Sequence, residues 1–184
     1  MRILWLSGNP SLYTESKGYN GGGWISSLQH AIKSSRYASG LTLGIAFLWS
    51  DNFKDEEDDC IYYGIKNKRS LNYKKKEASV KDEISNVISD FMPDIIHVFG
   101  TETILGVVTE ITEIPVVIHI QGMLNAYREA WMPQGLSWST YFRWHPMEYI
   151  HKKLLDRNCG RELGMYHNCP HFMGRTVWDK GIVE

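Results

Sequence analysis

The sequence predicts an α/β fold, a parallel sheet with helices on both faces. Three observations predict it. Short apolar runs alternate with stretches whose apolar residues recur at helical spacing, in the order strand, helix, strand, helix, strand, helix, strand. The run from Leu41 to Leu48 is close to continuously apolar, as strands covered on both faces are. Glycines follow several of the runs, at Gly21–Gly23, Gly100 and Gly122, where a strand must hand the chain to the next element. Such alternation implies right-handed crossovers.

The elements follow in order. Arg2-Ile3-Leu4-Trp5-Leu6 is the first strand, and a polar loop runs from Ser7 to Asn20. After Gly21-Gly22-Gly23, the residues Trp24, Ile25, Leu28, Ala31 and Ile32 form a helical stripe that Gly40 closes. Leu41 to Leu48 is the second strand. Asp55-Glu56-Glu57-Asp58-Asp59 reads as a solvated acidic loop. Cys60 to Ile65 is a short strand, and Lys66 to Lys76 a basic connection. Val80, Ile84, Val87, Ile88 and Phe91 make the stripe of a second helix, which Pro93 ends. Asp94 to Phe99 and Pro115 to Ile120 are further strands. Between them Thr101 is placed to cap a helix, with Glu102 in its first turn. Met123 to His145 breaks the rhythm as a long loop or a pair of short helices. A helix follows from Met147 and reaches Gly160 or Gly164. His171 to Gly174 is a last short strand, and a helix starts near Arg175.

The 184 residues, 43% of them hydrophobic, suffice for one domain with a real core. A net charge of -1 gives no electrostatic reason to expect nucleic acid. No apolar run reaches membrane-spanning length, and the N-terminal run is too short for a signal-peptide core. Cys60, Cys159 and Cys169 form neither a metal set nor a disulfide framework and read as reduced cytoplasmic thiols.

Ligands of such sheets sit beyond the carboxyl ends of the strands. There the three glycines open the backbone at a helix start, where free N–H groups favour an anion, a phosphate or a sugar. A structural turn is the competing reading of the same glycines. Glu102 reads as a dipole-compensating surface carboxylate or as an acceptor for substrate hydroxyls. His97 reads as a core histidine. His119 lies nearer a strand end, and Gln121 and Gly122 lie at the end itself. The aromatic segment, with Tyr127 and Trp131, can stack on a sugar, take an apolar acceptor tail, cover a second domain, or pack as a satellite core. His167, Cys169 and His171 alternate as on one strand face and read as structural. The dinucleotide fingerprint, the P-loop and the nucleophile elbow are absent.

In their order and spacing, several of these pieces resemble the N-terminal, acceptor-side domain of a family-four glycosyltransferase of the two-lobed GT-B fold. They are Arg2 to Leu6, Gly21 to Trp24, Pro93 to Val98, Pro115 to Gly122, and His171 to Thr176. The resemblance implies that residues 1–184 are a single Rossmann-like lobe, with the C-terminal nucleotide-sugar-binding lobe absent from this chain. It implies transfer of a sugar from a nucleotide-sugar donor to a glycan or glycolipid acceptor with retained configuration, as in polysaccharide biosynthesis, and no metal or other cofactor. Donor-phosphate binding falls on Gly21, Gly22 and Gly23, and substrate binding on Glu102, His119, Gln121, Gly122, Tyr127 and Trp131. Where many members carry a histidine before the glycine that ends the fourth strand, this chain has Gln121, which can position a hydroxyl but cannot act as a base. The expected setting is cytoplasmic, with peripheral contact at the inner membrane face. The isolated lobe is expected to be inactive. The alternatives are a stand-alone sugar- or nucleotide-binding module and a nucleotide-dependent oxidoreductase.

Overall fold

The computed structural model describes residues 1–13, 23–67, 72–132, 134–174 and 176–183. Seven strands form one sheet: β1 (Arg2–Ser7), β2 (Thr42–Trp49), β3 (Phe53–Glu57), β4 (Cys60–Lys66), β5 (Ile95–Phe99), β6 (Val116–His119) and β7 (Phe172–Met173). Their order across the sheet is β3-β4-β2-β1-β5-β6-β7, and every neighbouring pair is parallel except β3 with β4.

The helices are α1 (Gly23–Lys33), α2 (Tyr73–Phe91), α3 (Leu124–Ala130), α4 (Trp138–Trp144), α5 (Glu148–Asn168) and α6 (Val177–Val183). α1 covers one face of the sheet, and α2 and α5 cover the other. Alternate residues of the strands supply the two cores, because successive side chains of a strand point to opposite sides. Trp5, Ile45, Phe47, Tyr62 and Phe99 pack with Ile25, Leu28 and Ile32 of α1. Leu4, Leu6, Ile96, Val98 and Ile118 pack with Val80, Ile84, Val87 and Phe91 of α2 and with Met165 of α5. Gly44 faces Phe91, whose ring atoms would lie 2.8–3.0 Å from an added Cβ, so the glycine lets α2 close on the sheet.

The acidic run is where the expectation fails. Asp55 to Glu57 belong to β3, the edge strand antiparallel to β4. Asp58 and Asp59 form a two-residue hairpin loop with φ of +50° and +60°, the mirror-image turn that suits strand twist. The run read as a loop because an edge strand carries charge on its open side, which also discourages edge-to-edge pairing. Within it Asp55 accepts a hydrogen bond from the Tyr13 hydroxyl at 3.0 Å.

Two helices are longer than expected. Asn72 caps α2 by accepting from the Lys75 N–H, so Lys74, Lys75 and Lys76 lie in its first turn rather than in a connection. α5 passes Gly160 and Gly164, its stripe being Leu155, Cys159, Glu162 and Met165. Met123 to His145 contains two short helices, α3 and α4, one of the two forms expected. His167, Cys169 and His171 do not share a strand: His167 is in α5, and Cys169 follows it, its thiol donating to the carbonyls of Val116 and His171. All three cysteines are free and buried, and burial pushes the Cys60 thiol up to about 12.

Candidate functional site

The order of the strands locates the site. From β1 the chain steps to β2 on one side and later to β5 on the other, so the direction of winding reverses between β1 and β5. The crevice beyond their carboxyl ends is the usual ligand position in such sheets. Gly8, after β1, and Thr103, after β5, meet there; an added Cβ on Gly8 would lie 3.3 Å from the Thr103 methyl.

The loop after β1 is held from within. Gln29 of α1 is fully buried. Its carbonyl accepts from the Ser11 hydroxyl at 2.6 Å, and its amide donates to the Tyr62 hydroxyl at 2.7 Å. Gly21 and Gly22 lie outside the described residues. Gly23 opens α1 with φ +57°, and an added Cβ would meet nothing within 4 Å. That is open space in front of a helix start, in a conformation that glycine takes at least cost.

Trp24, the next residue, reaches across the strand ends. Its ring lies 4.7 Å from His119 and 5.4 Å from Phe99. His119 closes β6 and is parallel to the His97 ring, 5.7 Å away. His97 in turn stacks on Phe99 at 4.2 Å, and its Nε2 is buried without a hydrogen-bond partner. Burial, helped by His119, lowers His97 to about 4. Both histidines therefore sit in an aromatic block beside the start of α1.

Glu102 is not in a helical first turn. Thr101 to Thr103 form a bend, and the chain then coils through 3₁₀ turns from Ile104 to Glu110. The Thr101 hydroxyl is not free to cap them: it donates to the Gly122 carbonyl at 3.1 Å and to the Glu162 carboxylate. The Glu102 carboxylate folds back against Gly100 and Gly122. An added Cβ on Gly122 would stand 2.5 Å from its Oε1, and one on Gly100, at φ +84°, would overlap Oε2. Burial, and then the charge of Glu162, raise the Glu102 carboxyl above its ordinary value. The main-chain N–H groups of Glu102, Thr101 and Gly122 pull it the other way.

The sequence reading missed Glu162. It is fully buried on α5, and its carboxylate accepts from the main-chain N–H groups of Leu124 (3.0 Å) and Asn125 (2.8 Å) and from the Asn125 side-chain amide (2.8 Å). It thus caps α3, whose own N-cap residue, Met123, offers no side-chain bond. A glutamate in an otherwise apolar helical stripe was the available signal.

Of the expected site residues, the structure brings Glu102 and Gly122 into contact and sets His119 beside Trp24. Gln121 follows β6 and is half-buried. Tyr127 and Trp131 lie on and just after α3, edge to face at 5.6 Å, with Tyr127 largely exposed. Among the described residues no group of three or more His, Cys, Asp or Glu is placed to hold a metal ion, and no helix is long and apolar enough to cross a membrane.

A cleft of about 650 Å³ opens on the α2–α5 side of the same strand ends. Leu48, Ile104, Ile150 and Leu154 form its apolar wall, and Lys76, Lys153, Arg157 and Arg161 also line it.

No protein-family model matches the chain, and no curated protein matches it. Among solved structures the chain is similar to sucrose-phosphate synthase from Thermosynechococcus elongatus, with a TM-score of 0.62 and 8% sequence identity. The match covers 100% of this chain and 44% of that one, so the chain spans less than half the length of the structure it matches. At this identity the likeness carries the fold alone. The fold is α/β, with a mostly parallel sheet of the kind found in GT-B glycosyltransferases.

Proposed function

We propose that this chain is the acceptor-side, N-terminal lobe of a retaining family-four glycosyltransferase, which moves a sugar from a nucleotide-sugar to a glycan or glycolipid. The observation that carries the reading is the crevice at the β1–β5 reversal. On one side it has an open, glycine-started helix, and on the other a carboxylate held against two glycines.

In this reading the second, nucleotide-binding lobe faces the crevice. Gly21, Gly22 and Gly23 let the donor phosphates approach the start of α1. Main-chain N–H groups there stabilise the charge that grows on the departing nucleotide, a task that asks for no metal or other cofactor. Glu102 accepts from a substrate hydroxyl, while Gln121 orients another without serving as a base. His119 and the main chain of Gly122 shape the sugar pocket, and Tyr127 and Trp131 offer rings to the acceptor. The lobe alone, lacking the nucleotide site, turns nothing over. The working place is the cytoplasm, with peripheral contact at the inner membrane face where a glycolipid would be presented.

The test compares sugar transfer by residues 1–184 with transfer by the product of the whole open reading frame that contains them, over a panel of nucleotide-sugars. Transfer by the latter, no transfer by the former, and a loss on Gly22→Val with the fold intact are the expected results. Nucleotide or sugar binding without transfer by either protein would turn the reading to a binding module.

A further inference from the structure

The cleft between α2 and α5 carries more positive charge than the fold uses. Lys152, one residue from its rim, is paired with Asp156 at 2.6 Å, and Lys81 with both Glu77 and Glu110. Among the described residues none of Lys76, Lys153, Arg157 and Arg161 has a carboxylate within salt-bridge distance. The contacts of Lys153, Arg157 and Arg161 are aromatic or neutral. The Arg157 guanidinium lies 4.4 Å from the Tyr73 ring centre, and the Lys153 Nζ 4.5 Å from that of Tyr149. Arg161 donates to the Tyr73 hydroxyl, to Asn158 at 3.1 Å and to the Glu102 carbonyl at 3.1 Å. Its Nε is buried with no partner. The acid of the lining, Glu102, presents its carbonyl to Arg161 while its carboxylate lies against Gly100 and Gly122.

Four cations lining one concave site, none of them salt-bridged among the described residues, fit an anion of high charge density. The opposite wall is apolar, and it runs outward into exposed side chains, Ile150 at 50% and Leu154 at 44%. Exposed apolar groups continuous with a cationic pocket are the complement of an amphiphile rather than of a free sugar phosphate.

We infer that this cleft binds a lipid-linked phosphate, its phosphate on Lys76, Lys153, Arg157 and Arg161 and its chain along Leu48, Ile104, Ile150 and Leu154. That this ligand is the sugar acceptor rests on the glycosyltransferase reading; that the cleft binds it does not.

The test is titration of the 184-residue chain, without donor, by calorimetry. The probes are dodecyl phosphate below its micellar concentration, dodecyl maltoside, glucose 6-phosphate and inorganic phosphate. Dodecyl phosphate should bind at least about tenfold more tightly than each of the other three. Lys153→Gln with Arg157→Gln should weaken it by about tenfold or more with an unchanged melting temperature, since both side chains are exposed. Equal binding of glucose 6-phosphate would overturn the lipid assignment. Equal binding of dodecyl maltoside, or binding indifferent to the double variant, would overturn the phosphate site. Binding as expected beside an open-reading-frame product that transfers no sugar would leave the cleft standing and remove the enzyme.

Discussion

The Glu102 carboxylate occupies the space in which a side chain on Gly122 would begin, its Oε1 lying 2.5 Å from where that Cβ would stand. The end of β6 and the bend after β5 are thereby fitted to each other through one carboxylate and one missing side chain. Gly122 is glycine here because of its neighbour and not because of its own backbone angles, whereas Gly100, at φ +84°, is glycine for both reasons.

Gly122→Ala should therefore displace the carboxylate, and its cost should depend on Glu102. We expect a loss of about 1–2 kcal/mol in denaturant unfolding, shrinking by more than half in a Glu102→Ala background. Equal costs in the two backgrounds would mean that the carboxylate moves aside freely.

The stability of the chain should respond to pH in two opposite ways. His97 is lowered to about 4, so between its ordinary value near 6.5 and about 4 the unfolded chain binds the extra proton. Its contribution is present above that window, is lost as pH falls through it, and amounts to roughly 3 kcal/mol. Glu102 is raised, so just above the ordinary glutamate value the folded chain holds the extra proton, and stability falls as pH rises there. Denaturant melts from about pH 4 to about pH 7 should thus show a shallower acid slope for His97→Phe and a steeper net rise for Glu102→Gln. The His97 ring resonances should not move above about pH 5. A His97 titration at the ordinary value would remove the first effect.

Glu162→Ala should be the most damaging single change in this region. It leaves two main-chain N–H groups of α3 without their acceptor and takes one of two acceptors from the Thr101 hydroxyl, at a buried position, for a cost of about 3 kcal/mol or more. Amide exchange should rise at Leu124 and Asn125 before it rises in β5. Glu162→Gln, which keeps the size and one acceptor, should cost less. Unchanged protection of the two amides in Glu162→Ala would show that α3 does not depend on this cap.

The order of strands and helices was legible in the sequence because periodicity is a local property. The apolar runs of β1, β2, β5 and β6 and the stripes of α1 and α2 declare themselves within a few residues. The position of Glu102, Gln121 and Gly122 at the strand ends followed from that alternation alone. Where local chemistry misled, a tertiary contact had outbid it. Asp55 to Glu57 read as a loop until β4 paired with them, and Thr101 read as a helix cap until Gly122 and Glu162 took its hydroxyl.

What only the tertiary structure decided lies between residues far apart in the chain. Thr101 and Glu162 are separated by 61 positions and Tyr73 and Arg161 by 88, and nothing in either neighbourhood announces the other. The sheet order brings α2, α5 and the strand ends together, and only then do unpaired cations and apolar side chains become one cleft. The sequence determined the alternation and hence the fold, since each element is specified by its own spacing. The site depended on which elements became neighbours, since hydrogen bonds and charge pairing act over a few ångströms of space and take no account of chain distance.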